Sequence, residues 1–500
     1  MSLYRFFLVL VCLGLTLACK KEITNPPDPI VPIEPTEQDR LKATIYDYYN
    51  KYSLWTEQIP DLDEQGRVDF VKEYSSNNSL LTALKNMTPR YSFVPYQTLD
   101  INVGNHYDRY SFLEEAEASN SSSRAAGLRM DPNEGYGIQF GWGVIGDVDY
   151  ALPVITFVEG GSPAQKAGVK RGMIVYAVNN EGFIANLTEA GKVDDVDNRE
   201  FEKRLEVNSL TLKVKTLATL GEEGTDYSMN YSSSYAINPV ILDSVYTVSE
   251  KNIGYLAYSS FEEEYLGTGV DWNRMEKVFT GFEQKHIKDL ILDLRYNTGG
   301  YVETARYLAN KIIGASGDKQ PMFSYKTNHY LAVPRNVPFG LDFDDVNFER
   351  DNALNLSKVI VLVTEQTASA AELLINVLRP YMEVTLIGDT GRTYGKPVGF
   401  FPQEIGDVTL WVTSFQTLNK DGQSDYWNGL SVDVPGVADY FFKDFGDSTE
   451  DMIAMALERV GVAPKNDVRA SARNKYVSPR AVGLGMINKV KERNMLKTRE

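Results

Sequence analysis

Thr367-Ala368-Ser369-Ala370-Ala371-Glu372 follows the apolar run Val359-Ile360-Val361-Leu362-Val363 and opens a helical pattern from Leu373 to Leu378. A strand that feeds a helix through so short a turn sets Ser369 at the top of a sheet and at a helix N-terminus. Unpaired backbone N–H groups and the helix dipole favour negative charge there, which suits a nucleophile whose reaction creates an oxyanion. A second stretch, Tyr394-Gly395-Lys396-Pro397, places a lysine among Tyr394, Val398, Phe400 and Phe401. Desolvation penalises the ammonium form, and a neutral lysine can take the proton of a serine hydroxyl. The two stretches together have the chemistry of serine–lysine hydrolysis.

Ser369-x-x-Glu372 also has the form of a capping box, and a lysine after a glycine is commonly a solvated surface residue. A third stretch favours the chemical reading. Leu290-Ile291-Leu292-Asp293-Leu294 is an apolar strand, and it runs into Arg295-Tyr296-Asn297-Thr298-Gly299-Gly300 before a helical pattern from Val302 to Ile313. Paired glycines let a backbone N–H approach a ligand closely, as a second oxyanion donor must.

These three elements, in this order, resemble the tail-specific or C-terminal processing peptidases, the serine–lysine peptidase family S41 with an embedded PDZ domain. The likeness covers about Thr36 to Val460. It implies Ser369 as nucleophile, Lys396 as general base, and the N–H groups of Ala370 and Gly300 as the oxyanion hole. It also implies an α/β peptidase core of the ClpP/crotonase-like kind. The chain departs from the family pattern at three points. Phe400 stands where a glutamine often follows the lysine by four residues, and Pro380 where some members have an aspartate eleven after the serine. The serine and lysine are 27 residues apart (396 minus 369), slightly more than usual. Glu372 is the nearest candidate for an orienting residue, with capping as its simpler role.

Composition excludes several rivals. The three histidines, His106, His286 and His329, form no His-Glu-x-x-His pair, which argues against a zinc peptidase. None lies at a strand end or in a glycine-rich turn of the kind a serine–histidine triad needs. There is no phosphate-binding loop of the Gly-x-x-x-x-Gly-Lys-Ser/Thr type, and Gly141-Trp142-Gly143 lacks a dinucleotide-site frame. The net charge of −17 argues against general nucleic-acid binding. No metal and no cofactor is expected.

The N-terminus suggests a compartment. Arg5 precedes an apolar run from Phe6 to Ala18, too short to span a bilayer and suited to a signal-peptide core. Thr16-Leu17-Ala18-Cys19 resembles a bacterial lipoprotein signal, which implies an acylated Cys19 and a lipid anchor in the cell envelope. Five prolines between Pro26 and Pro35 make an extended tether. The expected organisation is therefore a signal peptide (1–18), a tether (19–36), an N-terminal helical domain (37–126), a PDZ domain (130–238), a peptidase domain (245–462) and a basic tail (463–500). The fold class is α/β plus β, in several domains.

Leu41, Ile45, Tyr48 and Tyr49 have helical spacing. Pro89-Arg90-Tyr91-Ser92 and Asp108-Arg109-Tyr110-Ser111 resemble the turn that precedes the PDZ domain in the family, and Ser119–Ser123 reads as a loop. Ser162-Pro163-Ala164 with Ala167-Gly168-Val169, followed by Gly172 to Asn179, resembles the PDZ signature. That likeness implies a substrate C-terminus added as a strand, its carboxylate on the N–H groups of Tyr136, Gly137 and Ile138. The segment from Phe183 to Asp197 reads as a solvated loop. In the tail, Lys465 to Glu500 holds ten basic and three acidic residues and is expected to be solvated. Two function classes remain. One is an endopeptidase acting on periplasmic or surface polypeptides with free C-termini. The other is a catalytically silent scaffold that binds peptides or small apolar ligands. Retention of Ser369 and Lys396 favours the first.

Overall fold

The computed structural model describes residues 34–91, 105–115, 134–248, 250–262, 273–338, 340–461 and 480–481. Cys19, the signal sequence, the serine-rich stretch 119–123 and all of the tail except 480–481 lie outside them.

The runs read as apolar strands form one five-stranded sheet. Its order is Glu383–Gly388, Lys358–Val363, Asp289–Asp293, Lys251–Tyr258 and Val240–Val248. Neighbours are parallel except the last pair, which is antiparallel. Cover on both faces explains why the central parallel strands Asp289–Asp293 and Lys358–Val363 are buried along their length rather than alternating, whereas the antiparallel edge strand Val240–Val248 is partly exposed. Leu290, Leu292, Val359, Val361 and Val363 face the core shared with helices Asn273–Gln284, Val302–Ile312 and Ala370–Leu378. Ile291, Ile360 and Leu362 face helix Asp451–Arg459 on the other side. Every residue of Ala370–Leu378 is buried, so the helix that follows Ser369 is held on all sides.

A second, antiparallel sheet carries the lysine. Strand Val398–Ile405, which begins two residues after Lys396, pairs with the long strand Val408–Asn419. Phe112–Glu115 and Pro321–Thr327 pair with the same long strand. Its outer face packs on the N-terminal helices Glu37–Tyr52 and Asn77–Lys85 through Tyr49, Leu80, Leu84, Phe401, Leu410 and Val412. Phe400 and Phe401 therefore part company. Phe400 stays with Tyr110, Tyr394 and Val398, while Phe401, expected beside the lysine, points to the helices. Adjacent residues of a strand face opposite sides, and the sequence did not say which of the two faced Lys396.

The third sheet holds eight strands, in the order 480–481, Ile138–Val144, Tyr150–Val158, Ile174–Val178, Ser209–Lys215 and Thr225–Asn230, with two short strands at 181–182 and 185–186. Helix Pro163–Ala167 is capped by Ser162 and ends at Gly168 in the left-handed region. The segment read as a solvated loop is only partly one. Phe183 and Ala185 are buried, Ala185–Asn186 pairs with Tyr150–Ala151, and helix Asp195–Leu205 starts inside it. The polar residues that suggested a loop cap and flank that helix, while Phe201 supplies its buried face.

Arg171 joins the third sheet to the first. Its guanidinium donates to Thr156 O and the Tyr296 hydroxyl, both at 2.7 Å, and to Asp439 at 2.5 Å. Arg295 reaches the same Asp439 oxygen at 2.5 Å and also pairs with Asp293 and Glu450. Burial alone would raise the Asp439 carboxyl, but Arg171 and Arg295 hold it down at about 2, against 3.8 for the free group. A depressed carboxyl contributes stability that is complete above the unfolded value and disappears as the pH falls through the folded one. Asp439→Asn should therefore lower stability by about 3–5 kcal/mol, because two buried cations lose a partner. It should also flatten the acid limb of a calorimetric pH series between 3.8 and about 2. An acid limb identical to wild type would show that the ion cluster carries no such linkage.

Candidate active site

Ser369 sits where strand Lys358–Val363 turns into helix Ala370–Leu378. Its backbone is at φ 56, ψ −111, a left-handed conformation costly for any residue with a Cβ, of order 1–3 kcal/mol. Neighbouring hydrogen bonds hold it there. Thr367 Oγ1 donates to Leu294 O at 2.8 Å, Ala368 N to Asn297 O at 3.1 Å, and Thr364 Oγ1 to Arg295 O at 2.5 Å. The turn bearing the serine is thus stitched to the turn bearing the paired glycines.

That second turn is shaped by Asn297, whose side-chain amide donates to Tyr258 O at 3.1 Å and whose Oδ1 accepts from Gly299 N at 2.9 Å. Gly300 has φ 141, and a Cβ there would meet Phe261 O at 2.2 Å. Only glycine fits that approach. Among the described residues, the N–H groups of Gly300 and Ala370 have no backbone acceptor.

Lys396 is 1% exposed. Its Nζ lies 4.4 Å from the Phe400 ring centroid and 5.5 Å from that of Tyr110. Burial penalises the ammonium, while the two ring faces favour it. The loop around it is fixed from two sides. Gly395 O accepts from Arg109 Nη2 at 3.0 Å and from the Tyr110 hydroxyl, and Arg109 also reaches Trp427 O at 3.0 Å. Asp108 in turn accepts from the Tyr49 hydroxyl at 2.5 Å and from Thr413 Oγ1 at 2.9 Å. The Asp-Arg-Tyr-Ser turn, likened to a lead-in to the third sheet, also braces the lysine loop. Nothing in its local pattern pointed there, since the contacts join residues nearly 300 positions apart.

Glu372 closes the arrangement. Its carboxylate is fully buried. One oxygen accepts from Ser369 N at 2.9 Å and Lys396 N at 2.8 Å, and the other from Gly395 N at 2.8 Å and Thr393 Oγ1 at 2.5 Å. Burial pushes this carboxyl up, and those hydrogen bonds hold it back. The glutamate does reach back to the serine N–H as a capping box would, yet it also grips the lysine loop.

Ser369, Ala370, Gly300 and Lys396 line one cleft together with Val302, Leu373, Val398, Phe415 and Tyr426. It measures about 20 Å³, room for roughly one water. The other residues singled out in the sequence lie elsewhere. Tyr136 and Gly137 lie just before strand Ile138–Val144 of the third sheet, and Ile138 opens it. Gly137 has φ 70, and a Cβ there would meet Ser162 Cβ at 2.3 Å. His106 is buried against Arg90 and Thr88 O, and His286 and His329 are exposed.

Residues 252–435 match the family model described as Peptidase family S41. The domain that carries Ser369 and Lys396 belongs to peptidase family S41. The chain is 24% identical over 381 residues to Carboxy-terminal processing protease CtpA of Bacillus subtilis, across 74% of this chain and 66% of that one. It is 25% identical over 294 residues to Carboxyl-terminal-processing peptidase 3, chloroplastic, of Arabidopsis thaliana, across 57% and 50%. The chain thus spans between half and two thirds of the length of these relatives. Among solved structures, a Bacteroides fragilis protein assigned to the S41 proteases superimposes with a TM-score of 0.60 at 21% identity, over 84% of this chain and 98% of that one. That likeness establishes a shared mixed α/β, multi-sheet fold.

All four partners of Glu372 donate, so glutamine is not a conservative replacement. Whichever way its amide is turned, its NH₂ faces a backbone N–H. Glu372→Ala should lower the unfolding free energy by on the order of 3 kcal/mol or more, since each stranded buried donor costs about 1–3. Glu372→Gln should fall between that variant and wild type in a thermal melt. A Glu372→Gln melting point equal to wild type would mean that the carboxylate is not charged when it accepts these bonds.

Proposed function

We propose that this chain is a serine endopeptidase in which Ser369 is the nucleophile and Lys396 the general base. The observation that carries the proposal is the shared Glu372 carboxylate, which ties the serine turn and the lysine loop to one point and sets both side chains on one cleft. Lys396 Nζ, as the neutral amine, takes the proton of Ser369 Oγ while Oγ adds to the peptide carbonyl carbon. The oxygen that gains charge lies at the N–H groups of Gly300 and Ala370. On collapse, the C–N bond breaks, the leaving amine receives that proton, and an ester to Ser369 remains. Water then adds by the same route and releases the acid. The apolar wall of Val302, Leu373, Val398, Phe415 and Tyr426 suits an apolar side chain beside the scissile bond.

Ser369→Ala should abolish cleavage of an unstructured polypeptide, by roughly 10³-fold or more, with the melting point nearly unchanged. In wild type, kcat should rise with pH along a single limb, because the base must be neutral. Lys396→Arg should be inactive throughout, since arginine stays protonated. Activity in that variant would remove Lys396 from the mechanism.

The third sheet is read as a PDZ domain that takes the C-terminus of a polypeptide. The short loop at Tyr136–Ile138, the strand Ile138–Val144 and the helix Asp195–Leu205 packed on it through Phe201 support that reading. A substrate with a free C-terminal carboxylate should be cut faster than its C-terminal amide, mainly through a lower KM. Equal KM values for acid and amide would leave the sheet without that role.

A further inference from the structure

Strand Ile138–Val144 is pinned on both faces. Ile138, Phe140, Trp142 and Val144 enter the core of the third sheet. On the other face, a Cβ on Gly141 or Gly143 would meet Phe441 at 3.5 Å or Phe442 at 2.3 Å. Gln139 donates across that face to Gln366 at 3.3 Å, three residues before Ser369. Only the outer edge of the strand is open to a further chain. That edge is not empty: Arg480 stands opposite Val144 and Ala481 opposite Gly143 in antiparallel register.

We propose that the C-terminal tail of this chain is a built-in competitor for that edge, docking by strand addition at Gly143–Val144 and so limiting the entry of other extended polypeptides. Three features carry the argument. An exposed edge strand pairs readily with any extended segment, and the recorded occupant belongs to the same chain. The segment from Ala481 to Ile487, Ala-Val-Gly-Leu-Gly-Met-Ile, holds no charge and no proline, as an added strand needs. Around it the tail from Lys465 has ten basic residues against three acidic. Helix Asp195–Leu205 packs on the same strand, Trp142 Nε1 donating to Asn198 Oδ1 at 3.0 Å. Asp194, Asp195, Asp197, Glu200 and Glu202 give that rim an acidic excess over Arg199, Lys203 and Arg204. Arg480 lies nineteen chain steps beyond Gly461 (480 minus 461), which is two residues past the end of helix Asp451–Arg459. At about 3.3 Å per residue those steps reach roughly 60 Å, ample for pairing within one molecule.

Competition with substrate rests on the peptide-docking reading of the third sheet, so the test includes a readout that needs no catalysis. In an antiparallel pair, adjacent residues alternate between donating to the partner and pointing away. Arg480→Pro and Ala481→Pro together therefore cover both cases, because proline lacks the N–H and fixes φ. Amide hydrogen exchange would be followed in full-length Ser369→Ala protein, alone and with each proline. The expected result is a loss of protection at Gly141–Val144 of roughly tenfold or more in at least one variant, by analogy with any opened strand pair. A labelled peptide with the sequence of residues 478–488 should then bind that variant several-fold more tightly. In the Ser369 protein the same change should lower the KM for a polypeptide substrate several-fold and leave kcat alone. Unchanged protection in both variants would overturn the docking. Lost protection with unchanged peptide binding and unchanged KM would overturn the competition while leaving the docked strand.

Discussion

The candidate site depends on one buried carboxylate. Ser369 and Lys396 come from different sheets, and a backbone bond from Tyr394 N to Thr367 O at 3.0 Å joins the turns that bear them. Glu372 spans the gap by accepting from both of their N–H groups, from Gly395 N and from Thr393 Oγ1. A carboxylate taken out of water is unstable unless its lone pairs are met. The four donors therefore have to stay where they are for the charge to be tolerated. That coupling converts a local capping arrangement into a joint between the Ser369 turn and the Lys396 loop, and it helps keep Ser369 in a backbone conformation it would not otherwise adopt.

Two outer layers keep the joint in place. The brace of Asp108, Arg109 and Tyr110 anchors the Gly395 carbonyl to the N-terminal helices and the long strand Val408–Asn419. The ion cluster of Arg171, Arg295 and Asp439 ties the third sheet to the strand that runs into the glycine turn. Tyr296 belongs to that turn, and its hydroxyl accepts from Arg171. The position of the third sheet therefore bears on the turn that presents Gly300.

Local pattern made much of this legible. The central strands of the first sheet are apolar runs, and paired glycines between a strand and a helix announce a close backbone approach, which Gly300 makes to Phe261. The serine turn and the helix after it were likewise readable, because both are short-range. What could not be read were contacts between distant residues. Asp108–Ser111 sits under a loop nearly 300 residues later, and no periodicity encodes that. Phe400 and Phe401 look alike in sequence, and only the pairing register with Val408–Asn419 separates them. The polar segment after Phe183 resembled a loop because its helix is capped and flanked by acidic residues, with a single aromatic, Phe201, marking its buried side. Pairing of Ala481 with Gly143 lay beyond any pattern, since two residues of strand carry no period.

The proposed mechanism has Glu372 align Ser369 with a lysine able to take its proton. It is tested most directly by covalent capture of the serine with a small phosphonyl fluoride, read by intact mass and peptide mapping across a pH series. A single adduct should form on Ser369, faster as the pH rises, and most of that rate should be lost in Lys396→Ala. An adduct on another residue, or labelling of Ser369 at an unchanged rate without Lys396, would contradict it.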